Sequence, residues 1–423
     1  MTGDDAWAED AIDLLMRRVG QTAAEVGARF PLYADPADGR WTTTGRGAWA
    51  GGFWAGLLWL RARHTGRADA RASAAAATAG LAPWAEADTA TRGLILWYGT
   101  VLAAGDPTAD ELRMRAAKAV LADWDPVLGV VPWGAAFGGA RLRARADAVP
   151  GLVPLLACAG PEGEAAAAAH LRRHLDLCVP RSGDRRPHPA WHWDAAGGWV
   201  NDAEPAPGWS RGEAWLLLAV ADALMRATSR SGPSDGPAGA DLLAPAHEVG
   251  GGGEGEGGGA AEVAQGAQGA QGAQGAQAAK AAKAAQGAKA AERAEWVAVA
   301  ELLLERCAFL TGPLVPHADV HRPDGPLDTS AAAVTAVALL KLSRVVEPSL
   351  GSACAARGEA VLRRLASPVH LTRPGGPRPA GMLLDGCYDA AAGTAVRHEL
   401  VWGDFFLALG LSALLGRVDL TRV

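Results

Sequence analysis

The segment Gly208-Trp-Ser-Arg-Gly-Glu-Ala-Trp215 places a guanidinium between two indoles at the start of an apolar run, Ala214 to Met225. At a helix start that combination offers an anion a cation, free backbone N–H groups and flat stacking walls. The same letters also spell an ordinary cap, with Ser210 as N-cap and Glu213 three residues on. The segment alone does not separate the two readings. Asp147 is the first candidate for proton transfer. In Ala144-Arg-Ala-Asp-Ala-Val-Pro150 it stands at the mouth of another apolar helix, where burial and the helix dipole pull its proton affinity in opposite directions. A carboxyl balanced in this way can act as acid and then as base; the plainer alternative is an N-cap aspartate.

His192, in Pro187-His-Pro-Ala-Trp-His-Trp-Asp194, sits in an aromatic loop and suits either a sugar contact or simple packing. Asp328 and Asp404 read as helix caps. His170/His174 and His317/His321 have i, i+4 spacing, but the first pair shares an amphipathic helix with Arg172 and Arg173. The second lies in a Pro-rich loop without a nearby Glu base. Neither follows the logic of a zinc helix, so no metal is expected. No phosphate-cradling Gly loop, nucleophile elbow or dinucleotide fingerprint is present, and no cofactor is expected.

The elements that must position these residues read almost entirely as helix. Six apolar helices begin at Trp49-Ala-Gly-Gly-Phe-Trp54, Thr91-Arg-Gly-Leu-Ile-Leu-Trp97, Arg145-Ala-Asp147, Trp209-Ser-Arg-Gly-Glu213, Asp328-Thr-Ser330 and Trp402-Gly-Asp404. Each follows an amphipathic partner: 4–27, 67–87, 108–123, 162–177, 294–311 and 351–365. Helices apolar on all faces belong inside a fold and their amphipathic partners outside it. Six such pairs form a repeat, and a closed double ring, the (α/α)6 barrel, is the expected all-α fold. In it the six inner N-termini share one end and one cleft. Residues 228–292 interrupt the pattern with a Ser/Pro/Gly run, GGGEGEGGG and Ala-Gln-Gly repeats. This composition is expected to form a disordered insertion, with at most a transient Ala-rich helix, within a single catalytic domain spanning 1–423. Its place between an inner and an outer helix favours the end of the barrel opposite the cleft.

Composition sets the outer bounds. A net charge of −6 and a pI near 6.0 give no basic surface for nucleic acid. The most apolar stretch, Ala48 to Leu60, is too short to span a bilayer, and the acidic, amphipathic start lacks a signal-peptide pattern. The five cysteines are an odd number without a CxxC pair, so neither a disulfide framework nor a zinc ribbon is expected. These features point to a cytoplasmic protein. Trp is the outlier, 16 residues against nine Phe and Tyr together, which suits a cleft whose flat walls stack on sugar rings.

With these residues in place, the chain resembles the unsaturated glucuronyl hydrolases and unsaturated rhamnogalacturonyl hydrolases (glycoside hydrolase families 88 and 105). The resemblance rests on Trp49-Ala-Gly-Gly-Phe-Trp-Ala-Gly-Leu-Leu-Trp59, Trp209-Ser-Arg-Gly-Glu-Ala-Trp215, Asp328-Thr-Ser-Ala-Ala-Ala333 and Val401-Trp-Gly-Asp-Phe-Phe406, spread over nearly the whole chain. It implies an (α/α)6 barrel acting on small oligosaccharides that end in a 4,5-unsaturated uronate. C4 of the vinyl ether is protonated, water adds at C5, and the resulting hemiketal opens to release the remaining sugar. One Asp suffices, unlike the flanking pair of ordinary glycosidases. Asp147 matches the family's catalytic Asp. Trp49, Trp133, His192, Trp209, Arg211 and Trp215 fall at substrate-contacting positions, with Arg211 or His192 for the carboxylate. Two departures stand out. The family's second Asp has no counterpart in Leu96-Trp-Tyr-Gly99, where Arg92 nearby could instead favour an anion, and Glu213 replaces a usual Gln or Asn. The alternatives are a catalytically inactive glycan-binding relative and a 2-epimerase-like enzyme. The latter needs paired His bases, and only His192 is well placed. A purely structural scaffold has no packing need for helix starts so rich in Trp and Arg.

Overall fold

The computed structural model describes residues 5–180, 186–229 and 261–423. Residues 1–4, at the start of the first expected helix, and 230–260, half of the expected insertion, lie outside the described residues. Two units pack separately: Met1–Arg226 with Trp296–Val423, and Ala227–Glu295.

The outer helices are α1 (Ala6–Val26), α3 (Ala68–Gly80), α5 (Pro107–Ala122), α7 (Pro161–Cys178), α9 (Ala261–Arg306) and α11 (Pro348–Leu365). The inner ones are α2 (Gly51–Thr65), α4 (Tyr98–Thr100), α6 (Leu152–Ala157), α8 (Ser210–Ser229), α10 (Thr329–Leu342) and α12 (Val401–Leu414). In α1 the buried side chains recur at Ala8, Ala11, Ile12, Leu15, Val19 and Val26, one stripe of a 3.6-residue helix. In α10 every residue is buried, and in α12 everything from Val401 to Ser412 is. Inner helix α10 packs on α12, α12 on α2, and α2 on α4; α2–α3, α6–α7 and α10–α11 form hairpins. The centre is filled by Phe53, Tyr98, Trp215, Phe405 and Phe406, with ring centroids 5.0–6.3 Å apart.

The expected helical pattern is corrected in two places. Seven short strands build two antiparallel sheets. One is ordered β2 (Trp41–Thr44), β1 (Phe30–Ala34), β7 (Thr394–Leu400), β6 (Gly386–Asp389). The other runs β3 (Arg143–Arg145), β4 (Ala190–Asp194), β5 (Gly198–Asn201). Every strand lies in a connection from an outer to an inner helix, whereas 66–67, 158–160 and 343–347 return in a few residues. Second, the helix expected from Thr91 opens as a π-helical turn, Gly93–Trp97, before α4. Glycines allow its close packing. A Cβ on Gly52 would strike the carbonyls of Leu94 and Ile95, and one on Gly93 would strike the backbone of Gly151 and Leu152. Within the insertion, α9 begins at Ala261, in the stretch where the sequence allows a transient Ala-rich helix. Ala, Gln and Lys favour such a helix, while the glycine of each Ala-Gln-Gly repeat weakens it.

Candidate active site

The strand-bearing connections lead into the N-termini of α2, α6, α8 and α12, and a cleft of about 710 Å³ opens among them. Five of the six expected substrate contacts line it: Trp49, Trp133, Trp209, Arg211 and Trp215. Asp147 lines it as well. His192 does not.

Asp147 sits in a short 3-10 turn, Ala146–Ala148, between β3 and α6. Both of its oxygens accept from Arg145, Nε to Oδ1 at 2.9 Å and an Nη to Oδ2 at 3.0 Å. Arg145 in turn lies over the Trp133 ring, 4.6 Å from its centroid. Strand alternation explains the placement. Ala144 packs with Leu128 and Val130 under Trp191, Trp193 and Trp199, which leaves Arg143 and Arg145 on the opposite face. His192 pairs across the ladder with Arg143. It therefore faces away from the indoles that flank it in sequence, and its Nδ1 is 2.8 Å from Asp202 Oδ1. The expected aromatic loop is a strand, and the strand separates its His from its Trp residues.

Behind the Asp147 turn lies the His170/His174 pair, fully buried on α7. His170 Nδ1 accepts from Val131 N–H at 3.1 Å, so its Nε2 carries the proton, 3.4 Å from the Ala148 carbonyl. Burial, then His174, holds its pKa well below the usual value; burial likewise takes His174 down to about 4. Both rings are neutral. Among the described residues no group of three or more His, Cys, Asp or Glu is arranged to hold a metal ion.

Arg211 reaches the cleft but is already engaged. Its guanidinium donates to Asp328 at 2.5 Å, to the Cys387 carbonyl at 2.5 Å and to the Tyr388 carbonyl at 2.7 Å. It lies between the rings of Trp209 and Trp402. Asp328 does cap α10, accepting from Ser330 N–H at 3.0 Å, and is fully buried. The expected Ser210–Glu213 capping box is absent. Ser210 gives its N–H and hydroxyl to the Ala318 carbonyl, and Glu213 takes Arg186 at 2.9 and 3.0 Å. Burial pushes Glu213 up to about 7 despite that partner. Glu213 and Ser210 line a separate small cavity of about 170 Å³.

Asp404 is no cap. It is buried in the first turn of α12 beside Glu399, itself held by Arg18 at 2.6 Å. Burial and then Glu399 raise its pKa well above the carboxylate range. Arg92 does not reach the cleft; it is buried and paired with Asp123 at 2.5 Å. On the second inner segment the cleft is lined by Thr91 and Leu94, with no carboxylate.

Several lining residues were not expected from sequence: Phe137, Glu204, Asp319, Arg322, Tyr388 and Asp389. Tyr388 accepts from Trp49 Nε1 at 3.1 Å, tying β6 to the start of α2. The Arg145–Asp147 pair alone had a usable signal, since its two residues stand only two apart in the sequence.

Neither a protein-family model nor a curated protein sequence matches this chain. Solved structures do. The unsaturated glucuronyl hydrolase of Bacillus sp. GL1, described as responsible for degradation of glycosaminoglycan, superposes with a TM-score of 0.73 at 18% identity, over 96% of each chain. One specific for heparin gives 0.72 at 19% identity, over 98% of this chain and 99% of that one. The Streptococcus agalactiae enzyme gives 0.72 at 15%, over 99% and 94%. The described residues share the fold of these hydrolases.

Proposed function

We propose that this protein is a glycoside hydrolase that removes a 4,5-unsaturated uronate from the end of lyase-generated oligosaccharides. Its inner and outer helices form an (α/α)6 barrel, with Met1–Arg226 and Trp296–Val423 as the catalytic domain and the 228–292 insertion within it. The observation that carries the reading is the meeting of Asp147, Arg145 and five aromatic walls (Trp49, Trp133, Trp209, Trp215 and Tyr388) in one cleft. Two solved relatives support the reading, one described with dGlcA-Glc-Rha-Glc and the other complexed with dGlcA-GalNAc6S. Among the described residues no helix is long and apolar enough to cross a membrane, and all five cysteines are unpaired. Unpaired thiols agree with a cytoplasmic setting.

In this reading Arg145, in place of the buried Arg211, receives the uronate carboxylate. A carboxylate held by two guanidinium donors is an acceptor and must gain a proton before it can give one. The incoming anion draws Arg145 away, and Asp147 takes a proton from solvent. Asp147 delivers that proton to C4 of the vinyl ether. Its carboxylate then takes one from the water that bonds to C5, and the hemiketal opens. His192 pairs across the ladder with Arg143, two residues from Arg145 on the same face, and through Asp202 supports that face.

The test follows loss of the ultraviolet absorbance of the conjugated double bond in unsaturated disaccharides. Asp147→Asn should lower kcat by about 10²–10⁴-fold, the share usual for positioned acid–base catalysis, with the fold retained. Absence of decay for every uronide class, or full activity in the variant, refutes the proposal.

A further inference from the structure

We infer that the substrate carries one negative charge, so that the sugar released is neutral and a sulfated one is rejected. This rests on the hydrolase reading above and follows from the charges that line the cleft. Three guanidiniums, Arg145, Arg211 and Arg322, face four carboxyl groups, Asp147, Glu204, Asp319 and Asp389. Arg211 is neutralised from behind by Asp328. Arg145 and Asp147 neutralise each other, and once substrate is bound the uronate takes Arg145 while a proton neutralises Asp147. What remains is Arg322 against three carboxylates. None of the three has an ion-pair partner among the described residues: Asp319 accepts only from the His321 N–H, at 2.9 Å, and Asp389 from the Ala392 N–H, at 2.9 Å.

After the uronate is bound, the wall therefore keeps an excess of two negative charges, and a sulfate would meet that field. The cations nearby are committed. Arg141 is held by Asp88 at 3.0 Å and Arg143 by Asp202 at 3.3 Å, while Arg46 lies over the Trp84 ring. The rim instead offers an apolar plane. Phe137 stacks on Trp84 with centroids 5.2 Å apart and lines the cleft. Its loop is pinned by Asp88, which accepts from Ala135 N–H and Arg141 Nε, each at 3.0 Å. A flat aromatic edge beside unpaired carboxylates suits a neutral ring, with hydroxyls donating to the acids and the apolar face on Phe137.

The experiment compares two unsaturated disaccharides that differ by a single sulfate on the released sugar. The expected kcat/KM favours the unsulfated one by about tenfold or more at low salt. That ratio should shrink as salt screens the wall, and shrink again in Glu204→Gln/Asp389→Asn. Equal or faster turnover of the sulfated disaccharide overturns the inference, as does a preference that neither salt nor the double variant alters. If the hydrolase reading itself fails, the pattern differs: neither disaccharide is consumed, and the selectivity falls with it.

Discussion

Replacing Arg211 by Met tests whether this guanidinium holds substrate or holds the protein together. The side chain is 4% exposed and its partner Asp328 fully buried. Removing it strands a buried carboxylate and takes one donor from each of the Cys387 and Tyr388 carbonyls. Breaking a buried pair from one side costs about 3–5 kcal/mol. Asp328 would keep the Ser330 N–H at 3.0 Å and the Ser330 hydroxyl at 2.5 Å, so the lower half of that range applies to the charge itself. The two lost carbonyl bonds add to it, at about 1–3 kcal/mol for each unsatisfied buried group. Asp328→Ala should cost a similar amount, since it also uncaps α10, worth about 0.5–2 kcal/mol. Arg211→Lys should recover only part, because an ammonium lacks the planar fork that reaches three acceptors.

Activity will fall whichever role is right. Arg211 braces Tyr388, which braces Trp49, so KM cannot separate the two. Stability can. In urea denaturation the two single variants and the double variant should close a cycle with a coupling of about 1–3 kcal/mol. A substrate-holding Arg211 gives a different result: a stability within about 0.5 kcal/mol of the unmodified protein and no coupling to Asp328. That outcome would refute the staple and return the uronate to Arg211.

Two further outcomes follow from buried titratable groups. Burial raises Glu213 from an ordinary 4.5 to about 7, with Arg186 opposing. The folded state thus binds this proton more tightly than the unfolded state, and the contribution to stability is complete below about 4.5 and lost as pH rises through about 7. It amounts to about 3 kcal/mol over the window. Glu213→Gln should flatten that part of the stability–pH curve; an unchanged slope shows that Glu213 does not titrate there. His170→Leu leaves the Val131 N–H unpaired in the interior and frees the turn that carries Asp147. Stability should drop by about 1–3 kcal/mol, and kcat should fall more than KM rises. Because the ring is neutral, the pH–rate profile should keep its shape, and a moved acid limb would show that His170 carries charge in the working enzyme.

What sequence could and could not disclose follows from the range over which each interaction acts. Burial on every face of a helix is a local property, so α8, α10 and α12 were legible from their composition, as was the alternation with amphipathic partners. The strands were not. A four-residue strand such as Trp41-Thr-Thr-Thr44 has too few residues to establish a period of two, and β1 finds its neighbour only when Tyr33 meets Leu400. The π-helical turn at Gly93–Trp97 had no signal in residue type; only the crowding at Gly52 and Gly93 accounts for its glycines.

The site divides along the same line. Residue type marked Asp147 and the indoles as helix starts, and those starts meet at one cleft. It did not assign the cations, because the charge a ligand meets depends on which acid each Arg has already found. Arg211 is satisfied by an Asp 117 residues away, and Arg145 by one two residues away that the ligand can displace. An arginine locked to a fully buried carboxylate and two carbonyls can brace a wall but cannot exchange partners during turnover. One held by a partly exposed aspartate can, and in the proposed reaction each exchange returns a proton-accepting group to the place where an acid is needed. The cleft's chemistry therefore turns on the weaker of its two ion pairs, not on the cation most conspicuous in the sequence.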